Sequence, residues 1–269
     1  HVPPDVDGQP RLPIKPGEST NVAFDVDDRA GLYWYHPHPH GPNGGRVGFQ
    51  SYAGLAGPLI IEDETERALD LPVGEQEMVL VLQDRSFAGD NELTFVGGMG
   101  SMMRGFLGNR VLVNGRPPET REIGTQPYRL RILNGSNARI YKLAWSDGRP
   151  VTVIGTGGGL LAAPQRYPYV TLAPAQRVDL IVDVTADSGE TAHLVRLDNG
   201  EGMSQVALTV TGRASAVRRD DPPALPSNAN MDVPGLDNAV PVRLNIEGGA
   251  MGRMQSAVLN GERKSFRDL

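Results

Sequence analysis

The fold is indicated by a stretch that occurs twice, first as IKPGESTNVAFDV at residues 14–26 and again as LAPAQRVDLIVDV at residues 172–184. The two copies align without gaps, and the register holds onward to Gly31 and Gly189, an offset of 189 minus 31, or 158. In each copy a proline turn feeds a strand-like run that ends in Asp-Val. The chain is therefore predicted to contain two copies of one β-domain.

A second, weaker repeat pairs VLVNG at residues 111–115 with AVLNG at residues 257–261, an offset of 261 minus 115, or 146. It predicts a third copy that begins near residue 240 and is cut off at Leu269. Residues 213–239 are rich in Pro, Asp and Asn and are interpreted as a linker. We expect the end of a first domain over 1–68, a second domain over 69–212 and the start of a third over 240–269. Because the chain opens at His1, we expect a processed or truncated product.

Strand signals dominate the rest of the sequence. They are found at Val22–Val26, Met78–Leu82, Arg129–Leu133 and Val178–Val182, with Pro, Gly and Asn between them. No long helical period interrupts them. Short strands with regular turn residues predict sandwich or barrel domains.

Composition excludes several classes of function. A formal charge of -6 offers no basic stripe for nucleic acid and no polybasic surface for a membrane, and no apolar run approaches the roughly 20 residues of a spanning helix. The chain has 0 cysteines, which removes disulfides, thiolate zinc sites and thiol nucleophiles. A blue copper centre requires a Cys thiolate beside two His, so this chain alone does not hold one.

Histidines cluster in one short segment, Trp34-Tyr35-His36-Pro37-His38-Pro39-His40-Gly41. Residues two apart in an extended chain point to the same side, so three imidazoles are predicted to line one face. The prolines stiffen the segment and lower the entropy lost when ligands are held in place. Imidazole suits Cu, Zn, Fe and Ni, so the ligand type leaves the metal open.

The internal repeat provides a control for this metal site. At the same register the second copy has Leu194 in place of His36 and Arg196 in place of His38. The second copy is therefore predicted to lack the site. His193 aligns with Tyr35 and is interpreted as a strand or loop residue without metal.

The run from Tyr33 to Gly41, followed by GLAGPLIIED at residues 54–63, resembles the end of the first domain in bacterial multicopper oxidases, especially periplasmic cuprous oxidases and laccases. Further stretches are similar to the copper-free middle domain of three-domain members; they lie at residues 83–87, 105–108, 112–115, 128–139 and 173–179. The resemblance implies an all-β fold of tandem cupredoxin-like Greek-key β-barrels. It also implies a periplasmic or secreted location.

Such enzymes hold a type 1 copper in the third domain and a trinuclear type 2/type 3 copper cluster between the first and third domains, bound by four His-X-His pairs. By resemblance, His36 and His38 are the second pair. His40 lies beyond it and is expected in the surroundings of the metal or at the surface, and His1 follows the position of the first pair. Gly157 stands where Asp is frequent, which would loosen a turn without touching a ligand.

Asp7 matches the acidic residue that in these enzymes lies near the cluster and helps deliver protons to reduced oxygen. A carboxylate linked through water is suited to that role. Asp7-Gly8 is also a common turn dipeptide, so a purely turn-forming role stays open.

The resemblance implies that the intact parent oxidises phenols, aromatic amines or Cu(I) by one-electron steps and reduces O2 to water. The chain by itself is expected to be inactive, because a third domain or another chain must complete the cluster. One alternative is a copper-free cupredoxin scaffold, such as relatives associated with cell division. Another is a copper-tolerance or copper-sequestering protein, in which the thioethers of Met99, Met102 and Met103 would bind Cu(I).

Overall fold

The structure is a computed structural model, and it describes residues 2–3, 6–8, 13–39, 47–95, 105–185, 189–198, 201–211, 244–248, 254–259 and 262–265. These residues are mostly strands, which confirms the predicted all-β class. The linker prediction for 213–239 lies outside the described residues, as do His1, His40, Met99, Met102 and Met103.

The helices are short: α1 (Val47–Tyr52), α2 (Glu64–Arg67) and one 3-10 turn (Gly74–Gln76). None of the helices in the described part of the chain has the length and apolar character needed to cross a bilayer. The strands, in chain order, are β1 (Gly31–Tyr35), β2 (Gly57–Ile61), β3 (Glu77–Phe87), β4 (Leu93–Thr94), β5 (Arg110–Val113), β6 (Thr120–Ile123), β7 (Pro127–Asn134), β8 (Tyr141–Trp145), β9 (Val151–Thr156), β10 (Gly159–Tyr167), β11 (Val170–Leu172), β12 (Arg177–Asp183), β13 (Thr191–Asp198), β14 (Glu201–Val210), β15 (Leu244–Gly248), β16 (Met254–Leu259) and β17 (Glu262–Ser265).

Two sheets form the main sandwich. One has the order β10-β9-β12-β7-β3-β4, with β5 also paired to β3, and the other has the order β11-β8-β13-β14-β6. The core lies between them and is built from inward-facing aliphatic side chains such as Leu80, Leu130, Leu180, Leu194 and Leu208. Alternation along each strand places these residues on one face, as the period of two requires.

The predicted strands at Met78–Leu82, Arg129–Leu133 and Val178–Val182 are confirmed, in β3, β7 and β12. The predicted strand at Val22–Val26 is wrong, since residues 21–29 form no strand. Val22 and Val26 are each 51% exposed. The aligned strand β12 lies between β7 and β9, whereas residues 22–26 have no strand partner among the described residues. A segment forms a β-strand only when a neighbouring strand pairs with its backbone N–H and C=O groups.

Both repeats leave traces in the backbone. Gly17 and Ala175, which are related by the offset of 158, both have left-handed backbones, with φ of 85° and 66°. The hairpin that follows β5 pairs Val113 with Arg116, and at the offset of 146 Leu259 of β16 pairs with Glu262 of β17. The aligned segments therefore share local conformation as well as sequence.

The outer face of β7 carries two arginines that are each only 1% exposed, Arg129 and Arg131. Both reach Glu66 of α2, with Arg129 Nη2 at 2.5 Å and Arg131 Nη2 at 3.2 Å from its Oε1. Arg129 also donates to both carboxylate oxygens of Asp179 on β12, at 3.0 Å and 2.6 Å. Arg131 Nε donates to Glu77 at the start of β3. We call these five residues the ionic cluster.

Burial alone would lower the pKa of Arg129, but the hydrogen bonds and negative charges of Asp179 and Glu66 raise it above its usual value. The guanidinium therefore stays charged inside the protein. Because a buried charge is tolerated only when it is paired, the cluster fixes α2, and with it the end of β2, against the sandwich.

Replacing Arg129 by Met should lower the free energy of unfolding by about 3–5 kcal/mol, because it leaves buried carboxylates without their partner. Denaturant-induced unfolding measures the change. Arg67→Met in α2, the helix that carries Glu66, is the control. Arg67 contacts Glu62 at 3.5 Å, and both side chains are more than half exposed. That pair contributes at most about 1 kcal/mol. Similar losses for the two variants would contradict the assigned role of the cluster.

Candidate metal centre

β1 leads directly into the histidine segment. It pairs with β2 in an antiparallel register that sets Trp34 opposite Pro58 and Tyr35 opposite Gly57. A Cβ at Gly57 would lie 2.6 Å from the Tyr35 hydroxyl oxygen, so a residue without a side chain lets the Tyr35 ring lie against β2. The end of β1 is thereby held at a fixed position, and His36 is the next residue.

The structure brings two of the predicted ligands together. The imidazole centroids of His36 and His38 lie 5.9 Å apart with an interplanar angle of 46°. His36 is half-buried and His38 is exposed. Both rings are therefore within reach of a common metal centre.

The donor chemistry of His36 fits a metal ion. Its Nδ1 lies 3.0 Å from the Pro37 carbonyl oxygen, and a carbonyl can only accept, so Nδ1 carries the proton. In the neutral imidazole, Nε2 then keeps its lone pair for a metal ion. Metal-binding imidazoles usually donate their second ring nitrogen in this way, which fixes the tautomer and the ring orientation.

Trp34 also holds His36, and sequence reasoning missed this. The two rings stack with centroids 4.4 Å apart and an interplanar angle of 24°. The signal was present, because Trp34 precedes His36 by two residues and so shares its side of an extended chain. The stack restricts rotation of the imidazole and covers one of its faces.

The turn that contains Asp7 lies next to His38. The backbone N–H groups of Val6 and Asp7 both donate to the Pro3 carbonyl, at 3.0 Å each. Gly8 then adopts a left-handed backbone with φ of 56°, and a Cβ built there would lie 3.1 Å from Cβ of His38. Asp7 is exposed, and within the described residues its carboxylate makes no hydrogen bond. The structure thus brings the Asp7 turn beside the histidines.

The described residues hold no group of three or more His, Cys, Asp or Glu side chains arranged for a metal ion. His193 lies in β13, and its carbonyl accepts from Ser146 N at 2.9 Å. Its neighbours Leu194 and Arg196 are buried at the positions aligned with the histidine pair. The part of the chain that the structure describes therefore offers two clustered imidazoles to copper. Imidazole is a suitable copper ligand, but two ligands do not complete a copper site.

Arg177 joins β1 to the sandwich. Its Nε donates to the Leu32 carbonyl at 2.9 Å, and its terminal nitrogens donate to the carbonyls of Ala175 and Gly157 at 2.9 and 2.8 Å. Beside this contact the two backbones nearly touch, because a Cβ at Gly159 would lie 2.8 Å from the Ala30 carbonyl oxygen. The strand that delivers the histidines therefore rests directly on the second copy of the repeat.

The other side of the histidine segment is anchored through α1. Tyr52 at its end is fully buried. Its hydroxyl donates to the Thr94 carbonyl at 2.7 Å and accepts from Ser86 N at 2.8 Å. The ring contacts Phe95 and Phe106, with centroid distances of 4.8 and 4.9 Å. Both flanks of the segment are thus tied to the same sandwich.

Comparison with known proteins agrees with this arrangement. A family model described as multicopper oxidase matches residues 2–66. The chain is 31% identical over 237 residues to the multicopper oxidase mco of Staphylococcus aureus, covering 88% of this chain and 50% of that protein. It is 34% identical over 270 residues to the cell division protein FtsP of Xenorhabdus nematophila, covering 95% of this chain and 55% of that protein.

The fold is similar to the crystal structure of the McoA multicopper oxidase from Aquifex aeolicus, with a TM-score of 0.79 and 33% identity over 96% of this chain and 56% of that one. The predicted cupredoxin-like β-barrel fold is thereby confirmed. The chain spans about half the length of the curated relatives that it matches.

Gly159→Ala should destabilise the protein by about 1–3 kcal/mol, since the new methyl group would meet the Ala30 carbonyl and the residue has a φ of 100°. Gly158→Ala is the matched control, because a Cβ there meets nothing within 4 Å. It should stay within about 0.5 kcal/mol of the parent. Thermal unfolding of both variants measures the effect. Equal stability of the two variants would show that the close backbone approach does not hold β1 in place.

Proposed function

Since the chain belongs to the multicopper oxidase family, we propose that His36 and His38 bind copper as one half-site of a trinuclear type 2/type 3 cluster. The observation that supports the proposal is the pair of imidazoles 5.9 Å apart, of which the His36 ring is stacked on Trp34 and hydrogen-bonded to the Pro37 carbonyl. The remaining ligands would come from outside the described residues, from a third domain or from another chain. The type 1 copper would also be held elsewhere, because this chain has 0 cysteines.

Copper, when bound, supplies one-electron oxidation of a phenol, an aromatic amine or Cu(I) and, over four such steps, reduction of O2 to two waters. The residues of this chain supply geometry. The Pro37 carbonyl fixes the His36 tautomer, Trp34 restricts its ring, and the prolines limit the backbone. Because these restraints exist before metal arrives, less entropy is lost on binding.

Asp7 is proposed to hold and pass protons to the oxygen that is reduced. Its turn packs against His38, and its exposed carboxylate is available to water. A carboxylate that exchanges protons through water can serve each of the four protons that the reaction consumes.

We also propose that residues 1–68 are the end of a first cupredoxin domain, 69–212 a copper-free second domain, 213–239 a linker and 240–269 the start of a third. The two repeats support this division. A periplasmic or secreted location is proposed from the resemblance to periplasmic cuprous oxidases.

A second candidate function is a copper-free scaffold, and the similarity to FtsP over 95% of the chain favours it. A scaffold would use the barrel surfaces for binding and would not depend on the two imidazoles. Copper content separates the two functions.

Replacing both His36 and His38 by Ala should abolish the copper assigned to the cluster while thermal unfolding shows an intact fold. Copper per chain is measured by elemental analysis after reconstitution of the assembled protein, in which a third domain or another chain supplies the remaining ligands. His193→Ala is the control, since it removes an imidazole from the second copy and should leave copper content unchanged. If the double variant binds as much copper as the parent, the half-site is wrong; if neither protein binds copper, the scaffold function is favoured.

Asp7→Asn should slow O2 consumption by on the order of 10²-fold without changing copper content, because Asn keeps the turn and removes the carboxylate that carries protons. An oxygen electrode measures both proteins with the same phenol, each assembled with the third domain or chain that completes the cluster. An unchanged rate would assign Asp7 a turn-forming role alone.

A further inference from the structure

Away from the histidines, the structure contains a groove at the open side of the sandwich, and we propose that it binds a small aromatic carboxylate. The groove has a volume of about 670 Å³. We call it the edge groove and define it by six of its lining residues, Thr156, Gly157, Gln165, Tyr167, Tyr169 and Arg177. Its size is in the range typical of small-molecule sites.

The groove exists because two sheet edges fail to meet. β10 is the edge of one sheet and β11 the edge of the other. The pairing of β10 with β9 is also irregular, with a register shift between Leu160 and Gln165. A bulge of this kind bends an edge strand away from its neighbour. The space between the sheets is therefore left open at this side.

Arg177 gives the groove its charge. The guanidinium makes three hydrogen bonds, all to backbone carbonyls, and within the described residues it has no carboxylate partner. None of the residues that line the groove is Asp or Glu. Burial lowers the pKa of Arg177, which reflects the cost of holding this charge partly away from water. A bound anion would offset that cost.

The remaining hydrogen-bond donors of Arg177 suit a carboxylate. A guanidinium has five N–H groups, and one on Nε and one on each terminal nitrogen are in use. One N–H is left on each terminal nitrogen. Arginine commonly binds a carboxylate in a bidentate manner through two N–H donors.

Gly157 keeps this cation accessible. A Cβ at that position would lie 2.9 Å from Cζ of Arg177, so any side chain would cover the guanidinium. The backbone of Gly157 lies outside the left-handed region that favours glycine. The lack of a side chain therefore has its main consequence at Arg177.

Two tyrosines favour an aromatic ligand. Tyr167 and Tyr169 line the groove and are 45% and 42% exposed. The ammonium of Lys142 lies 3.8 Å from the centroid of the Tyr169 ring, which holds the ring in place and adds positive charge at the rim. Exposed rings beside a cation provide stacking area for a planar ligand whose acidic end reaches Arg177.

The experiment is calorimetric titration of metal-free protein with 4-hydroxybenzoate and, separately, with its uncharged methyl ester. We expect saturable binding of the acid, with the ester at least about tenfold weaker because it lacks the charge-assisted contact. Gly157→Asp places an internal carboxylate on Arg177 and should weaken binding of the acid by about tenfold or more. Gly158→Asp adds the same charge one residue away, where a Cβ meets nothing within 4 Å, and should bind as the parent does.

Thermal unfolding of the Gly157→Asp variant accompanies the titration and establishes that the variant is folded. The proposal is overturned if the parent shows no saturable binding, if acid and ester bind equally, or if a folded Gly157→Asp variant binds like the parent. Because the titration uses no copper, its outcome is independent of the copper half-site.

Discussion

The buried contact between Arg129, Glu66 and Asp179 is the constraint on which the rest of the molecule depends. It couples a short helix, which follows β2, to the two central strands β7 and β12 of the sandwich. Asp63 extends the connection, because one carboxylate oxygen accepts from Glu66 N at 2.7 Å and the other from Ala30 N at 3.0 Å. These hydrogen bonds lower the pKa of Asp63 against the effect of its burial. The segment before β1 is thus held through one chain of charged groups.

The histidine pair gains its position from this frame. On one side β1 is held by the close approach of Gly159 to Ala30 and by the hydrogen bond from Arg177 to Leu32. On the other side α1 is held by Tyr52, which is buried against β3 and β4. Between these anchors, the Trp34 stack and the Pro37 carbonyl orient the His36 ring. A site on a short connecting segment is therefore positioned by regular structure on both sides, which is how a loop can hold ligands precisely enough for a metal.

The sequence predicted the fold class because strand alternation and turn residues are local signals, and β7 and β12 follow them. The same local signal failed at Val22–Val26, where the pattern matches β12 but residues 22–26 have no strand partner among the described residues. The proximity of His36 and His38 followed from their spacing alone. The contact of Arg177 with Leu32 could not be predicted from the sequence. The two residues are 145 positions apart, and no local pattern encodes a contact between such distant segments.

Two imidazoles bind a copper ion far more weakly than a full ligand set, so a half-site retains metal only when further donors are presented close by. The affinity then depends on the effective concentration of those donors, which the stiffness and length of the intervening chain determine. A metal held in this manner stabilises, by mass action, the arrangement that brings the two half-sites together. Loading and assembly would thus be one coupled equilibrium, in which the restrained His36 ring just after β1 serves as the prepared partner.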